Sequence, residues 1–134
     1  MVDGKKEGFW ATFHDRIPAK IKSITMYIDG ERNGPHYEFS INGMTKKIAH
    51  FRDGSLNGDY KEFKYNAIKE HANMKNGEYH GVRKVYFGDI DNKGKLQQKI
   101  NYTDGVQDGK MEWYNPEGEV VQEFMYEKGK RIDG

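Results

Sequence analysis

The chain has 134 residues, a formal net charge of +1 and no cysteine. A charge this close to neutral gives no global field that would attract nucleic acid or an anionic membrane, and without cysteine there are no disulfides or thiolate metal sites. No apolar run approaches the ~20 residues of a membrane helix and no signal-peptide core follows Met1, so we predict a cytoplasmic protein unless a leader was removed upstream.

One phrase of about thirteen residues recurs along the whole chain. Its copies are MVDGKKEGFWATF (1–13), YIDGERNGPHYEF (27–39), FRDGSLNGDYKEF (51–63), MKNGEYHGVRKVY (74–86) and YTDGVQDGKMEWY (102–114), followed by the truncated YEKGKRIDG (126–134). The leading glycines are Gly4, Gly30, Gly54, Gly77, Gly105 and Gly129. A spacing in the twenties is the mark of a repeat architecture, so we predict one repeat domain over residues 1–134.

Each copy reads as a hairpin of two short strands. In chain order the predicted turns are Asn42-Gly43, Asn66-Ala67, DIDNKG (89–94) and NPEG (115–118). Frequent glycines exclude long helices, and the segments between them are rich in Tyr, Phe, Ile and Val. The expected fold is all-β: an elongated antiparallel meander of about five stacked hairpins.

Two ladders of large residues repeat with the phrase, one three positions before each leading glycine and one nine positions after it. The first comprises Met1, Tyr27, Phe51, Met74, Tyr102 and Tyr126, and the second comprises Phe13, Phe39, Phe63, Tyr86 and Tyr114. We expect both to form the core on the one face that the sheet can bury; the alternative is an aromatic groove that binds a ligand.

A third set of positions varies from copy to copy. Six and eight residues after the leading glycines the chain places large residues of the types enriched in protein interfaces. The predicted partner-binding residues are Trp10, His36, Tyr60, Arg83, Met111 and Trp113. The alternative is a solvated face with scattered large side chains.

The phrase resembles the MORN repeat, and more closely its bacterial antitoxin-like variant. The resemblance is carried by MYIDGERNGPHYEFSINGMTKKIAHFRDGSLNG (26–58) and GKMEWYNPEGEVVQEFMYEKGK (109–130). It implies a binding module, such as an antitoxin, immunity or adaptor protein whose protein partner can be a toxin. A membrane-peripheral scaffold that binds phospholipid and an accessory domain of a larger protein are the alternatives. One position departs from the family: the small residue five places before the leading glycine is here Thr25, Ala49, Ala72, Ile100 and Phe124.

The sequence offers no catalytic motif and no metal-ligand spacing, because the five histidines fall at different repeat positions. We therefore predict no enzyme activity, cofactor or metal. Lysines alternate with acidic residues, which argues against nucleic acid and does not support membrane contact. The truncated sixth copy leaves a sheet edge open, so self-association through that edge is a further expectation.

Overall fold

The computed structural model describes residues 2–16 and 20–133, which form strands and turns and contain no helix. The strands are β1 (Gly8–Phe13), β2 (Ile21–Ile28), β3 (Glu31–Phe39), β4 (Thr45–Arg52), β5 (Ser55–Leu56), β6 (Gly58–Lys64), β7 (Ala67–Lys75), β8 (Glu78–Tyr79), β9 (Gly81–Tyr86), β10 (Leu96–Thr103), β11 (Val106–Tyr114), β12 (Val120–Glu127) and β13 (Lys130–Arg131). The predicted all-β class is confirmed. Met1 and Gly134, the first and last residues of the repeat array, lie outside the described residues.

The strands form one antiparallel sheet in which neighbours in sequence are neighbours in space. The short strands β5 and β8 are arms that pair back onto β4 and β7, beside the longer β6 and β9. After β2 and after β10 the described residues contain no separate short arm. A single strand, β3 or β11, pairs with the preceding strand, and its register shifts between the first residues and the rest. This is the predicted meander of hairpins.

Tight turns explain why the repeat begins with Asp or Asn before glycine. In the link between β2 and β3, Asp29 has φ 50° and Gly30 has φ 81°, so both residues are left-handed, as a type I′ turn requires. The hairpin of the third copy turns at Tyr65 and Asn66, with φ 53° and 58°. The predicted turn at Asn66-Ala67 was therefore wrong by one residue, since Ala67 already begins β7.

The hairpins share two local features, a β-bulge in the second strand and a hydrogen bond from the leading glycine. Each second strand carries one extra residue near the hairpin turn, a β-bulge that shifts the register. The bulge residues are Lys22, Lys46, Lys69, Gln97 and Val121. The N–H of each leading glycine from Gly30 to Gly129 donates to a carbonyl of the preceding repeat at 2.8–3.0 Å. These bonds fix each repeat onto the one before it.

The single layer has two unlike faces, which we call face A and face B. Face A has a central row that crosses the sheet, one residue from each long strand, as the registers require. This central row is Trp10, Thr25, His36, Ala49, Tyr60, Ala72, Arg83, Ile100, Met111 and Phe124. The first predicted ladder lies on the same face, because Tyr27 lies directly opposite Gly8 and is two residues from Thr25.

Burial separates the two faces. The buried residues of the described chain all belong to face A: Thr25, His36, Ala49, Glu70, Ala72, Met74, Ile100 and Met111. No second layer of strands or helices covers them within residues 2–16 and 20–133, so neighbouring side chains of the same face must do so. Face A is the core side of this thin sheet.

The prediction that both aromatic ladders share one face was wrong. Tyr27 and Phe51, of the first ladder, lie on face A, where the Phe51 ring meets the His36 ring edge-on at 5.5 Å. Phe39, of the second ladder, lies on face B, where its ring stacks on that of Tyr37 at 6.5 Å. The reason is the alternation of side chains along a strand, which puts His36 and Glu38 on one face and Tyr37 and Phe39 on the other.

Candidate functional site

The structure brings five of the six predicted partner-binding residues into the central row of face A. They are Trp10, His36, Tyr60, Arg83 and Met111, and Trp113 lies in the adjoining row. They share a face, as predicted, but the face is the buried one, and His36 and Met111 are each only 8% exposed. Whether they bind a partner stays a prediction, and the structure also gives them a packing role.

Hydrogen bonds hold the histidine of this row in place. His36 Nδ1 lies 2.6 Å from Thr25 Oγ1 across the β2–β3 pair, and His36 Nε2 lies 2.9 Å from a carboxylate oxygen of Glu38. Lys47 approaches the same carboxylate at 3.8 Å and that of Glu62 at 3.9 Å. The polar groups of this part of face A satisfy one another.

A buried carboxylate marks the middle of face A. Glu70 accepts hydrogen bonds from the Tyr79 hydroxyl at 2.6 Å and from Arg83 Nε. Burial raises the pKa of Glu70, but the bonds from Tyr79 and Arg83 outweigh it and lower the pKa below its ordinary value. Burial, together with the Glu70 carboxylate, raises the pKa of Tyr79 to about 12. The sequence pattern did not reveal this cluster, because its three members occupy different repeat positions.

Cations also stack on aromatic rings along face A. Lys6 lies 5.2 Å from the centre of the Trp10 ring, Arg83 lies 4.6 Å from that of Tyr79, and Arg131 lies 4.0 Å from that of Phe124. Such contacts are worth about 0.5–2 kcal/mol each, depending on how far they are desolvated. They shield aromatic rings that a single-layered sheet would otherwise expose to solvent, and so they help to bury face A.

Face B carries the exposed apolar surface. We define its apolar patch as Phe9, Phe13, Ile21, Ile24, Tyr37, Phe39 and Ile48. Phe9 is 61% exposed and Phe13 is 49% exposed, although both lie within a regular strand. An open cavity of about 280 Å³ lies between β2 and the turn after β3, and it is lined by Ile21, Ile24 and Phe39. Sequence reasoning placed Phe13 and Phe39 in the core and missed this surface.

Beyond the apolar patch, face B becomes basic. Lys61, His71, Lys84 and Lys99 follow one another on successive strands, from β6 to β10. Asp59 is their acidic neighbour, 3.7 Å from Lys61 Nζ and 2.7 Å from His71 Nε2. Lys84 and Lys99 form no ion pair with any other residue in the described ranges.

No group of three or more His, Asp or Glu side chains suited to a metal ion occurs among residues 2–16 and 20–133. In the same part of the chain no helix is long and apolar enough to cross a membrane. The predicted absence of a cofactor and of enzyme activity stays a prediction.

No protein-family model matches the chain, and a search of curated proteins finds no match either.

Proposed function

We propose that this chain is a non-enzymatic β-repeat module that binds another protein, and that the partner docks on the apolar patch of face B. The observation that carries the proposal is the distribution of exposed apolar side chains. Those placed in regular strand pairs are Phe9, Phe13, Ile21, Ile28, Val82, Val106, Val120 and Met125, all on face B. Three of these, Phe9, Phe13 and Ile21, lie together in the apolar patch on the paired strands β1 and β2. An exposed apolar cluster on a chain this polar, with a mean hydropathy of −1.01, is typical of an interaction site.

Face A is the less suitable docking surface. No buried side-chain nitrogen or oxygen among the described residues lacks a hydrogen-bond partner, and those of face A are bonded to one another. A partner would have to replace these bonds with equally good ones in order to gain from contact there. The six residues predicted from the sequence therefore define the alternative site, and the experiment below separates the two.

The resemblance to bacterial MORN-variant repeats supports the same class of function. In that class we place the chain as an antitoxin, immunity or adaptor protein, and an antitoxin role would make the partner a toxin that loses activity when bound. A membrane-peripheral scaffold is the second candidate. It is favoured by the lysines beside the apolar patch, and disfavoured by the acidic residues on the same face, such as Asp59, Glu112 and Glu123.

The test is affinity capture from a lysate of the source cells, followed by mass spectrometry. The tagged baits are the wild type, a face B variant with Phe9→Ser and Phe13→Ser, and a matched control with Val106→Ser. Val106 is also exposed, at 46%, but it lies far from the apolar patch near the start of β11. We expect the protein enriched by the wild type and by the control to fall about tenfold or more with the face B variant, because the apolar anchors of an interface carry most of its binding energy.

A second pair of baits tests the alternative site. Tyr60→Ala and Trp113→Ala change face A and are used below their melting temperatures, after circular dichroism has shown that each is folded. If these variants lose the partner while the face B variant keeps it, the partner docks on face A and our placement of the site is wrong.

A further inference from the structure

The middle row of face B changes character along the array. Its N-terminal members are Ala11, Ile24, Tyr37 and Ile48, its central members are Lys61, His71, Lys84 and Lys99, and its last members are Glu112 and Glu123. Each residue lies across from the next on the neighbouring strand. This middle row, which we call the track, therefore crosses the sheet in a straight line and changes from apolar to basic to acidic residues.

In the basic part of the track, some of the positive charges are not balanced by a neighbouring carboxylate of the described chain. Asp59 lies against Lys61 and His71, and Lys110 is paired with Glu123 at 3.6 Å. Lys84 is flanked on the track by His71 and Lys99, and so has no acidic neighbour there. Lys99 lies opposite Glu112, yet that carboxylate accepts a hydrogen bond from Tyr114 at 3.2 Å and forms no ion pair with Lys99 among the described contacts. Asp59 lines the same open pocket as Lys84, but its carboxylate is already held by Lys61 and His71, which leaves Lys84 available to an incoming carboxylate.

Building on the proposed function, we infer that the partner contributes a segment in which apolar residues are followed by acidic ones. Its apolar part lies on the apolar patch, and its acidic part lies over Lys84 and Lys99. Four strands at a spacing of ~4.8 Å span roughly 14 Å, which an extended chain covers with about four or five residues at ~3.3 Å each. The segment is therefore about eight to ten residues long if it crosses the strands in an extended form.

The same combination of apolar and basic residues can contact an anionic membrane, but the order along the track favours a protein. A membrane surface is uniform, so Asp59, Glu112 and Glu123 would be held against lipid phosphates together with the lysines. A peptide segment has its own sequence and can place its carboxylates over the lysines alone. Charge complementarity of this kind sets register and selects partners.

The experiment measures fluorescence anisotropy with three synthetic ten-residue peptides and the full chain. One peptide has five apolar residues followed by five acidic residues, the second has the same composition with the two types interleaved, and the third has lysines in place of the acidic residues. We expect the block peptide to bind at least about tenfold more tightly than the other two, and to weaken as salt rises because its charges become screened. Vesicles of mixed anionic and zwitterionic phospholipid are titrated in parallel.

Two charge variants make the result specific. Lys84→Glu with Lys99→Glu is expected to weaken the block peptide about tenfold or more, while Lys95→Glu with Lys130→Glu, which removes the same charge elsewhere, leaves binding nearly unchanged. Equal affinity for the block and interleaved peptides, no binding of the block peptide at millimolar concentration, or preferential binding to the anionic vesicles would each overturn the inference. If capture of the natural partner depends on Phe9 and Phe13 but not on Lys84 and Lys99, this inference fails while the proposed function stands. Capture that does not change when any of these four residues is replaced contradicts the proposed docking on the apolar patch as well.

Discussion

Glu70 shows how single residues hold this thin sheet together. It is the one buried carboxylate in the described part of the chain, and Tyr79 and Arg83 supply its hydrogen bonds. Removing one partner of a buried charge leaves the other without compensation, which costs more than the pair contributes when intact. Arg83, predicted from sequence as a binding residue, is thus also a structural one.

We predict that Arg83→Ala lowers the free energy of unfolding by about 2–3 kcal/mol, less than a fully buried pair would lose because the Arg83 side chain is part-exposed. Lys84→Ala is the matched control, since Lys84 is the next residue on the opposite face, and it should change stability by about 0.5 kcal/mol or less. Urea denaturation followed by circular dichroism measures both. Equal stabilities of the two variants would show that the Glu70 pair does not support the fold.

The same carboxylate predicts a pH dependence. The folded state lowers the pKa of Glu70 below its ordinary value of 4.5, so the ionised group stabilises the fold above that pH and the gain is lost as pH falls through the folded pKa. The unfolding free energy of the wild type should therefore fall more steeply than that of Glu70→Gln as the pH is lowered below about 4.5. Parallel slopes for the two proteins would mean that the lowered pKa of Glu70 is not linked to folding.

At the scale of the hairpin, turn chemistry is the most regular feature. Most type I′ positions hold Asp or Asn before glycine, but the third hairpin places Tyr65 at φ 53°. A bulky residue is strained there, whereas asparagine tolerates the left-handed region. Tyr65 also lies under the Lys64 ammonium, 5.1 Å from the ring centre, which offsets part of that strain.

We predict that Tyr65→Asn raises the free energy of unfolding by about 0.5–1 kcal/mol, because relief of backbone strain exceeds the loss of one exposed cation–π contact. Lys64→Asn loses the same contact without relieving any strain, and it should be neutral or slightly destabilising. Thermal melts of both variants provide the measurement. A lower melting temperature for Tyr65→Asn than for Lys64→Asn would contradict the argument.

The sequence was sufficient to predict the hairpins and their order, because the glycine pairs and the short apolar segments are local signals. The faces were predicted wrongly, because the two ladders were grouped by their shared aromatic character, although the turn and the alternation of side chains along each strand were enough to separate them. A two-residue turn at Asp29-Gly30 places Tyr27 opposite Arg32, and alternate residues from there lead to His36 and Glu38. The bulges and the Glu70 cluster could not be predicted, because they depend on which strands meet and in what register.

For the whole molecule, the consequence of a single-layered meander is two open ends. Among residues 2–16 and 20–133, β1 pairs with β2 alone. The far side of β12 is covered only near its end, where Tyr126 and Glu127 pair with the short β13 and the Ile132 N–H donates to the Met125 carbonyl at 2.9 Å. Val120 and Val121 near the start of β12 are 46% and 57% exposed. Exposed edges with apolar side chains favour pairing with another chain.

We predict concentration-dependent self-association through the β12 edge, seen by light scattering as a rise of the mean mass above the 15.6 kDa monomer. Val121→Lys should reduce it, since a charged residue on an edge strand opposes pairing. A control with lysine at the exposed loop position Ile90 should associate like the wild type. A strictly monomeric wild type at millimolar concentration would count against edge pairing.

The central claim is that face A stabilises the fold while face B binds the partner. Chemical-shift mapping tests this most directly. Backbone and methyl spectra of the labelled full chain are recorded with and without the partner recovered by affinity capture. We predict that the largest changes occur on face B, at Phe13, Ile21, Ile24 and Lys84, while the signals of Tyr60, Met111 and Trp113 stay close to their free positions. Large changes confined to those three face A residues, with face B unaffected, would contradict the account.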